Sequence, residues 1–179
     1  MPLGLNELLV EINSVLGTLP YSSITEFYEL AYLQDKDDKT FPLVRTNQTN
    51  GIQISPNDKK FRFYHRLISQ EEESNTTQSK GNDTIYYTIY NLRLVGIGLR
   101  RFLSSANFED NADLALAVKK KLIQNPVFSD TSKLTPLSSN TDKISIFNEE
   151  WNGYELGHLS LELTAFTIDY QIKQRFICG

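Results

Sequence analysis

The chain has 179 residues, of which 40% are hydrophobic and 22% are charged, a balance typical of one globular domain with a hydrophobic core. Its net charge of −4, from 22 acidic and 18 basic residues, argues against a general nucleic-acid binder, because such proteins carry a basic surface. No apolar run approaches the roughly 18 residues that cross a bilayer, and the N-terminus lacks the basic region of a signal peptide. The single cysteine, Cys178, cannot form an intrachain disulfide, so we expect synthesis in a reducing cytoplasm. Because no apolar run is long enough to cross a bilayer, we also expect no membrane partner.

The first half of the chain predicts one helix followed by several strands. Apolar residues that recur every three or four positions predict an amphipathic helix over residues 3–17, and Gly17 is a natural stop. Alternating apolar side chains predict strands over residues 25–34, 41–46, 52–55 and 60–68. Asn50-Gly51 predicts a type I′ turn before the third of these strands. Residues 69–83 contain no apolar side chain, so they predict an extended or mobile loop at a hairpin tip rather than a core element.

The second half predicts further strands and a second helix. The strands are expected over residues 84–100, 143–147 and 159–176. Gly96 and Gly98, in the first of them, indicate a bend or a close approach of the backbone to a neighbour. A helix is predicted at about 111–124, and residues 127–142 read as a Ser/Thr/Pro loop. Because no linker divides the chain, residues 1–179 are expected to form a single domain.

The last predicted strand is the longest. Its eighteen residues, 159–176, would span about 59 Å when extended, about three times a typical strand, and a small domain cannot cover that length. The apolar positions change phase near Thr164-Ala165, which predicts a bulge or a change of the covered face. We therefore expect part of this strand to lie against another chain, and its polar side chains to face solvent, a lumen or an adjacent subunit.

The candidate subunit-interface residues are polar side chains on three segments. They are Thr167, Asp169, Lys173 and Arg175 on the last strand, Glu71, Glu72 and Glu73 in the predicted loop, and Arg62 and Arg66 in the basic strand before it. The two histidines, His65 and His158, have no Cys, Asp or Glu at ligand spacing, and Gly96-x-Gly98 lacks the rest of a dinucleotide fingerprint. The sequence therefore predicts no catalytic, metal or cofactor site.

One stretch, residues 59–66, interleaves basic and aromatic side chains. Such a pattern could stack single-stranded nucleic acid on its rings and hold the phosphates with its bases. It also fits a strand with one face in the core and one face in water, and the acidic balance of the chain favours this second interpretation.

The order of the elements resembles that of the tail-terminator, tail-completion and neck ring proteins of bacteriophages. The likeness covers most of the chain and is carried by the helix Leu5–Leu16, the strand Thr84–Arg100, the helix at 111–124 and a Trp-bearing segment before the long final strand. The Asn/Thr content and the segment 69–83 are also similar to neck proteins of crAss-like phages. The resemblance implies an α+β fold: a mostly antiparallel twisted β-sheet, two helices packed on one face, and a long projecting β-hairpin or loop.

The same resemblance implies a structural virion protein rather than an enzyme. Its expected form is a homo-oligomeric ring, a hexamer or a dodecamer, in the head–tail connector or at the tail terminator, made in the host cytoplasm. Its expected partners are neighbouring neck, portal-adaptor or tail proteins, with residues 69–83 as a tether between subunits. DNA would pass through the ring without specific binding, which the acidic charge suits. The alternative is a small nucleic-acid-binding accessory protein that uses residues 59–66.

Overall fold

The structure, a computed structural model, describes residues 4–20, 25–45, 51–56, 60–76, 84–102, 111–125, 127–129, 132–157 and 159–178. The α-helices are α1 (Leu5–Leu16), α2 (Asn111–Gln124), α3 (Lys143–Glu150) and α4 (Leu159–Glu162). The strands are β1 (Thr25–Lys36), β2 (Lys39–Arg45), β3 (Gly51–Gln53), β4 (Phe61–Thr76), β5 (Thr84–Leu99), β6 (Val127–Ser129), β7 (Ser132–Asn140) and β8 (Leu163–Cys178).

The strands form one sheet in the order β3-β2-β1-β4-β5-β8-β7-β6. β1 and β4 run parallel, and every other neighbouring pair is antiparallel. The predicted α+β class with a mostly antiparallel sheet is therefore confirmed. β4 and β5 pair from Arg62↔Ile97 to Thr76↔Thr84, but the residues between them, 77–83, lie outside the described part of the chain. That the hairpin projects remains a prediction.

Helices cover both faces of the sheet. On one face, α1 and α2 pack over phenylalanines and aliphatic residues of β4, β5 and β8, as expected for two helices on one side. On the other face, α3 and Trp151 pack over Tyr64, Val95 and Ala165. Helix α3 was not predicted. Because it covers the second face, the part of the sheet that consists of β4, β5 and β8 is the middle layer of the fold.

The two glycines of β5 allow aromatic rings to lie against the strand. A Cβ atom on Gly96 would lie 2.5 Å from ring carbons of both Phe63 and Phe166, and one on Gly98 would lie 2.8 Å from the Phe61 ring. Such separations are too short for real atoms, so only glycine permits these rings to close on the backbone. Of the two interpretations of this glycine pair, the close approach is confirmed.

Two predictions for residues 127–147 were wrong. Residues 127–129 and 132–140 are strands β6 and β7, although the segment is rich in Ser, Thr and Pro; β6 pairs with β7, and β7 pairs with β8. Residues 143–150 form helix α3 rather than a strand. Its N-cap is Asp142, whose carboxylate accepts hydrogen bonds from the backbone N–H groups of Ile144 at 3.1 Å and Ser145 at 3.3 Å.

The bounds of strands β4 and β8 also differ from the prediction. Residues 69–76, expected in a loop, continue β4 and pair with β5. Residues 159–162 form the short helix α4, so β8 begins at Leu163. The phase change near residue 164 is not a bulge, because β5 and β8 pair without interruption from Thr84↔Cys178 to Leu99↔Leu163. Leu163 and Ala165 instead belong to the core on the α3 side, and Phe166 to the core on the α1 side.

Candidate functional site

A row of charged side chains crosses the three long strands on the face that carries α3. The strand register places Arg66 of β4 beside Arg93 of β5, and Arg93 beside Asp169 of β8. Arg93 donates to Asp169 from Nε to Oδ1 at 2.7 Å and from Nη2 to Oδ2 at 3.4 Å. Ser138 on β7 donates a further bond to Asp169 Oδ2 at 2.9 Å. The row therefore joins all four strands of this part of the sheet.

Helix α3 completes the row with two carboxylates from its last turn. Glu149 Oε1 accepts from Arg93 Nη1 at 2.6 Å and from Arg66 Nη1 at 3.2 Å, so it bridges the two guanidinium groups. Glu150 has no exposed surface and accepts from Arg66 Nη1 and, at 2.8 Å, from the Tyr64 hydroxyl. Because every member is hydrogen-bonded, the network fixes α3 on the sheet rather than offering a free reactive group.

The electrostatics of the row follow from burial and from these partners. Burial raises the pKa of the Glu150 carboxyl, although Arg66 and Tyr64 oppose that effect. Burial also raises the pKa of Asp169, but the hydrogen bonds from Arg93 and Ser138 outweigh it and hold this pKa below its usual value. The Asp169 bond raises the pKa of Arg93 in turn. The two shifts show that Arg93 and Asp169 stabilise each other's charged forms, as expected for an ion pair.

A second set of polar contacts continues along the same face away from α3. Asn91 donates to Ser69 Oγ at 2.8 Å and to Glu71 Oε1 at 3.0 Å. Lys173 donates to Glu73 Oε2 at 2.8 Å and lies over the Tyr87 ring, with its Nζ 4.3 Å from the ring centre. The bonds of Asn91 join β5 to β4, and the bond of Lys173 joins β8 to β4 across β5. Together they connect the three strands on this face.

The structure thus divides the predicted interface residues into three groups. Thr167 and Arg62 are buried within the chain, with 3% and 7% exposure, so they lie away from its exposed surface. Arg62 donates to Glu26 at 3.0 Å and to the Ser55 carbonyl at 2.9 Å. The residues in the contacts of the polar face are Arg66, Asp169, Lys173, Glu71 and Glu73. Glu72 on β4 and Arg175 on β8 are exposed.

The basic-aromatic stretch does not offer a stacking surface. Phe61, Phe63 and Tyr64 have no exposed surface, and their rings lie in the two cores. Lys60 pairs with Glu26 at 2.9 Å, and Arg66 belongs to the α3 network. The interpretation as a strand with a buried face accounts for this segment, and the nucleic-acid alternative loses the rings on which it depended.

His65 lies in the core between α1 and β8. Its Nε2 is 2.9 Å from Asn13 Oδ1, and its Nδ1 is 2.7 Å from the Tyr170 hydroxyl. The Asn13 amide nitrogen already donates to the Tyr28 carbonyl at 3.1 Å, so Asn13 Oδ1 must accept and His65 Nε2 must carry the hydrogen. Burial lowers the pKa of His65 to about 3. His65 is therefore a neutral core residue, whereas His158 lies outside the described residues.

The three long strands extend beyond both cores. Among the described residues, β4 after the buried His65 and β8 after Ile172 contribute no hydrophobic side chain to either core. In this extension the side chains from Glu71 to Ser74 are exposed, and Tyr86 keeps 44% of its surface. We call the part of β4 after His65, the part of β8 after Ile172 and the part of β5 between them the strand extension.

Exposed apolar side chains lie on α2 and on the neighbouring strand β7. Leu116 and Ile123 on α2 and Leu137 on β7 are 51%, 53% and 52% exposed. Lys119, one turn from each of the two helix residues, donates to the Leu137 carbonyl at 3.1 Å, so this face of α2 lies beside β7. We call this surface the rim patch; exposed apolar clusters of this kind mark interaction sites.

Sequence reasoning missed the α3 network, although two signals were present. Arg93 interrupts an apolar strand between Leu92 and Leu94, and a charge in that position requires a counter-ion. The adjacent pair Glu149-Glu150 supplies it, but only once residues 143–150 are recognised as a helix.

Searches of the chain and of known proteins add no assignment. Among the residues that the structure describes, no group of three His, Cys, Asp or Glu side chains could hold a metal ion. No helix in the same part of the chain is long and apolar enough to cross a membrane. No family model matches the sequence, and no curated protein matches it.

Proposed function

We propose that this chain is a structural, ring-forming subunit of a phage head–tail connector or tail terminator, where it joins neighbouring virion proteins around a DNA conduit. The proposal is carried by one observation: β4, β5 and β8 outrun the helices that cover the sheet. Each strand has 16 residues, or about 53 Å, whereas α1 and α2 have 12 and 14 residues, or about 18 and 21 Å. Strands of that length need contacts outside one small domain.

The two exposed surfaces support a ring rather than a symmetric dimer. The strand extension carries the exposed acidic run from Glu71 to Glu73, whereas the rim patch is apolar, so one chain presents two unlike surfaces to its neighbours. Contacts between unlike surfaces of identical subunits close into rings when the rotation between neighbours closes. A hexamer or a dodecamer fits the resemblance of the element order to phage ring proteins.

The polar face supports a structural role rather than an enzymatic one. Its acids and bases are held in ion pairs, and the Ser138 hydroxyl donates to Asp169, a carboxylate that Arg93 already holds. The nucleic-acid alternative is not favoured, because its rings are buried. The net charge of −4 would keep DNA from adhering to the walls of a conduit.

The test is the mass of the protein in solution, measured by light scattering over a wide concentration range, and its copy number in purified particles of the parent phage. We expect six or twelve copies per ring. Leu116→Glu should dissociate the ring, whereas Val10→Glu, at an equally exposed apolar position on α1, should not. A protein that is monomeric at every concentration and absent from the particles would refute the proposal.

A further inference from the structure

β4 has an open backbone edge on the side away from β5. β1 pairs with β4 only from Thr25↔Phe61 to Leu30↔His65, and then leaves it to pair with β2. β4 itself continues to Thr76. Within the described ranges, no strand therefore pairs with this side of β4 over residues 66–76. An unpaired edge of this length presents backbone donors and acceptors to any further strand.

The charges on this edge decide against a second copy of β4. An antiparallel pair of β4 strands centred on Glu72 would place Glu72 against its own copy, and Glu71 against Glu73 of the other chain. Like charges directly opposite each other on neighbouring strands are destabilising. Acidic residues and bulges are also the means by which proteins block self-association of edges, and β4 has a bulge between Leu67 and Ser69.

The same charges favour a basic occupant. Glu71 and Glu72 are exposed, and the hydrogen bond that Glu71 accepts comes from the neutral amide of Asn91. Glu73, in contrast, is already paired with Lys173. At the bulge, Leu67 and Ile68 are 37% and 51% exposed, which adds an apolar contact next to the acidic one. Backbone pairing would supply affinity, and these side chains would select the sequence.

We propose that residues 66–76 of β4 dock an extended, basic segment of a partner protein as an added β-strand. Lysine or arginine side chains of that segment lie opposite Glu71 and Glu72, and an apolar side chain lies beside Leu67 and Ile68. The edge is open in a single chain, so the proposal does not depend on whether the protein forms a ring.

The test uses the full chain and two fluorescent peptides of equal length. One peptide has three consecutive lysines between valines and threonines, and the other has glutamates in place of the lysines. We expect the basic peptide to bind by fluorescence anisotropy at physiological salt and the acidic one not to bind. Amide hydrogens of residues 66–76 should exchange more slowly in the complex with the basic peptide, because the added strand hydrogen-bonds this edge.

Two double variants separate the edge from general charge attraction. Glu71→Gln with Glu72→Gln should weaken binding about two- to thirtyfold, the range expected from losing two cross-strand charge pairs. Glu11→Gln with Glu155→Gln removes the same net charge at sites distant in the sequence and should leave binding unchanged. Equal losses in both variants, protection of amides elsewhere, or failure of the basic peptide to bind would each overturn the proposal.

Discussion

The buried His65 should make the stability of the protein depend on pH in a defined window. Its pKa is about 3 in the folded state, against about 6.5 in an unfolded chain. Below pH 6.5 the unfolded chain binds a proton that the folded chain does not. The contribution of neutral His65 to stability is therefore fully present above pH 6.5 and is lost as the pH falls toward 3.

The size of the effect follows from the linkage between proton binding and folding. One proton bound only by the unfolded state changes the free energy of unfolding by about 1.4 kcal/mol per pH unit. Between pH 6.5 and pH 5, His65 should therefore cost the protein about 2 kcal/mol, a sizeable share of the roughly 5–15 kcal/mol of a typical domain. Carboxylates with ordinary pKa values remain ionised over that range, and comparison with a His65 variant separates the histidine effect from that of Glu150, whose pKa burial raises.

The assay is urea unfolding at pH 7, 6 and 5, followed by the fluorescence of Trp151, the only tryptophan, which is 2% exposed. His65→Gln keeps a donor and an acceptor for Asn13 and Tyr170 but cannot titrate. Its free energy of unfolding should start lower at pH 7 and then fall less than that of the wild type. His158→Gln is the control and should keep the slope that His65 causes. Parallel profiles for wild type and His65→Gln between pH 7 and 5 would refute the reasoning.

Three further substitutions test the core and the ion pairs, each by urea unfolding. Glu26→Gln should lower the free energy of unfolding by about 1–2 kcal/mol at pH 7, a range reduced to allow for the 29% exposure of Glu26. The pKa of Glu26 is lowered to about 2, so this stabilisation should vanish as the pH falls from 4.5 toward 2. Leu9→Ala should cost about 2–5 kcal/mol because Leu9 is fully buried, whereas Val10→Ala, at an exposed neighbour, should cost less than about 0.5 kcal/mol. Gly96→Ala should cost about 1–3 kcal/mol or more, because its Cβ would collide with two phenylalanine rings, and a neutral result would contradict the close packing there.

The elements that the sequence predicts well are those with a strong local signal. α1 and α2 carry complete apolar stripes, and the observed bounds, Leu5–Leu16 and Asn111–Gln124, agree with the expected ones to within two residues. β5 alternates along its length and was predicted from 84 to 100. The stripes of α1 and α2 and the alternating residues of β5 from Leu92 to Ile97 are buried in the two cores, so pattern and packing coincide there.

The elements that the sequence does not predict owe their conformation to distant partners. Residues 69–76 are all polar, so composition excludes them from a core, yet pairing with β5 makes them a strand. Residues 143–147 alternate like a strand, but the cap from Asp142 and the bonds from Glu149 and Glu150 to two arginines hold them as a helix. The charged row on the sheet could not be predicted either, since its members come from β4, β5, β8 and α3.

The polar face of β8 cannot serve both as an internal network and as a free subunit surface, and charge reversal distinguishes the two roles. Asp169 holds Arg93, so Asp169→Arg should place a second guanidinium beside it and lower the free energy of unfolding by about 1–3 kcal/mol. Arg175, exposed on the same strand, should tolerate Arg175→Glu within about 0.5 kcal/mol. Urea unfolding measures both, and light scattering then shows whether the stable Arg175→Glu variant still assembles. If Asp169→Arg unfolds like the wild type but fails to assemble, the network is dispensable for folding and this face is the subunit contact after all. If it is destabilised as expected, contacts between copies must lie on surfaces outside the network, such as the rim patch and the exposed Arg175.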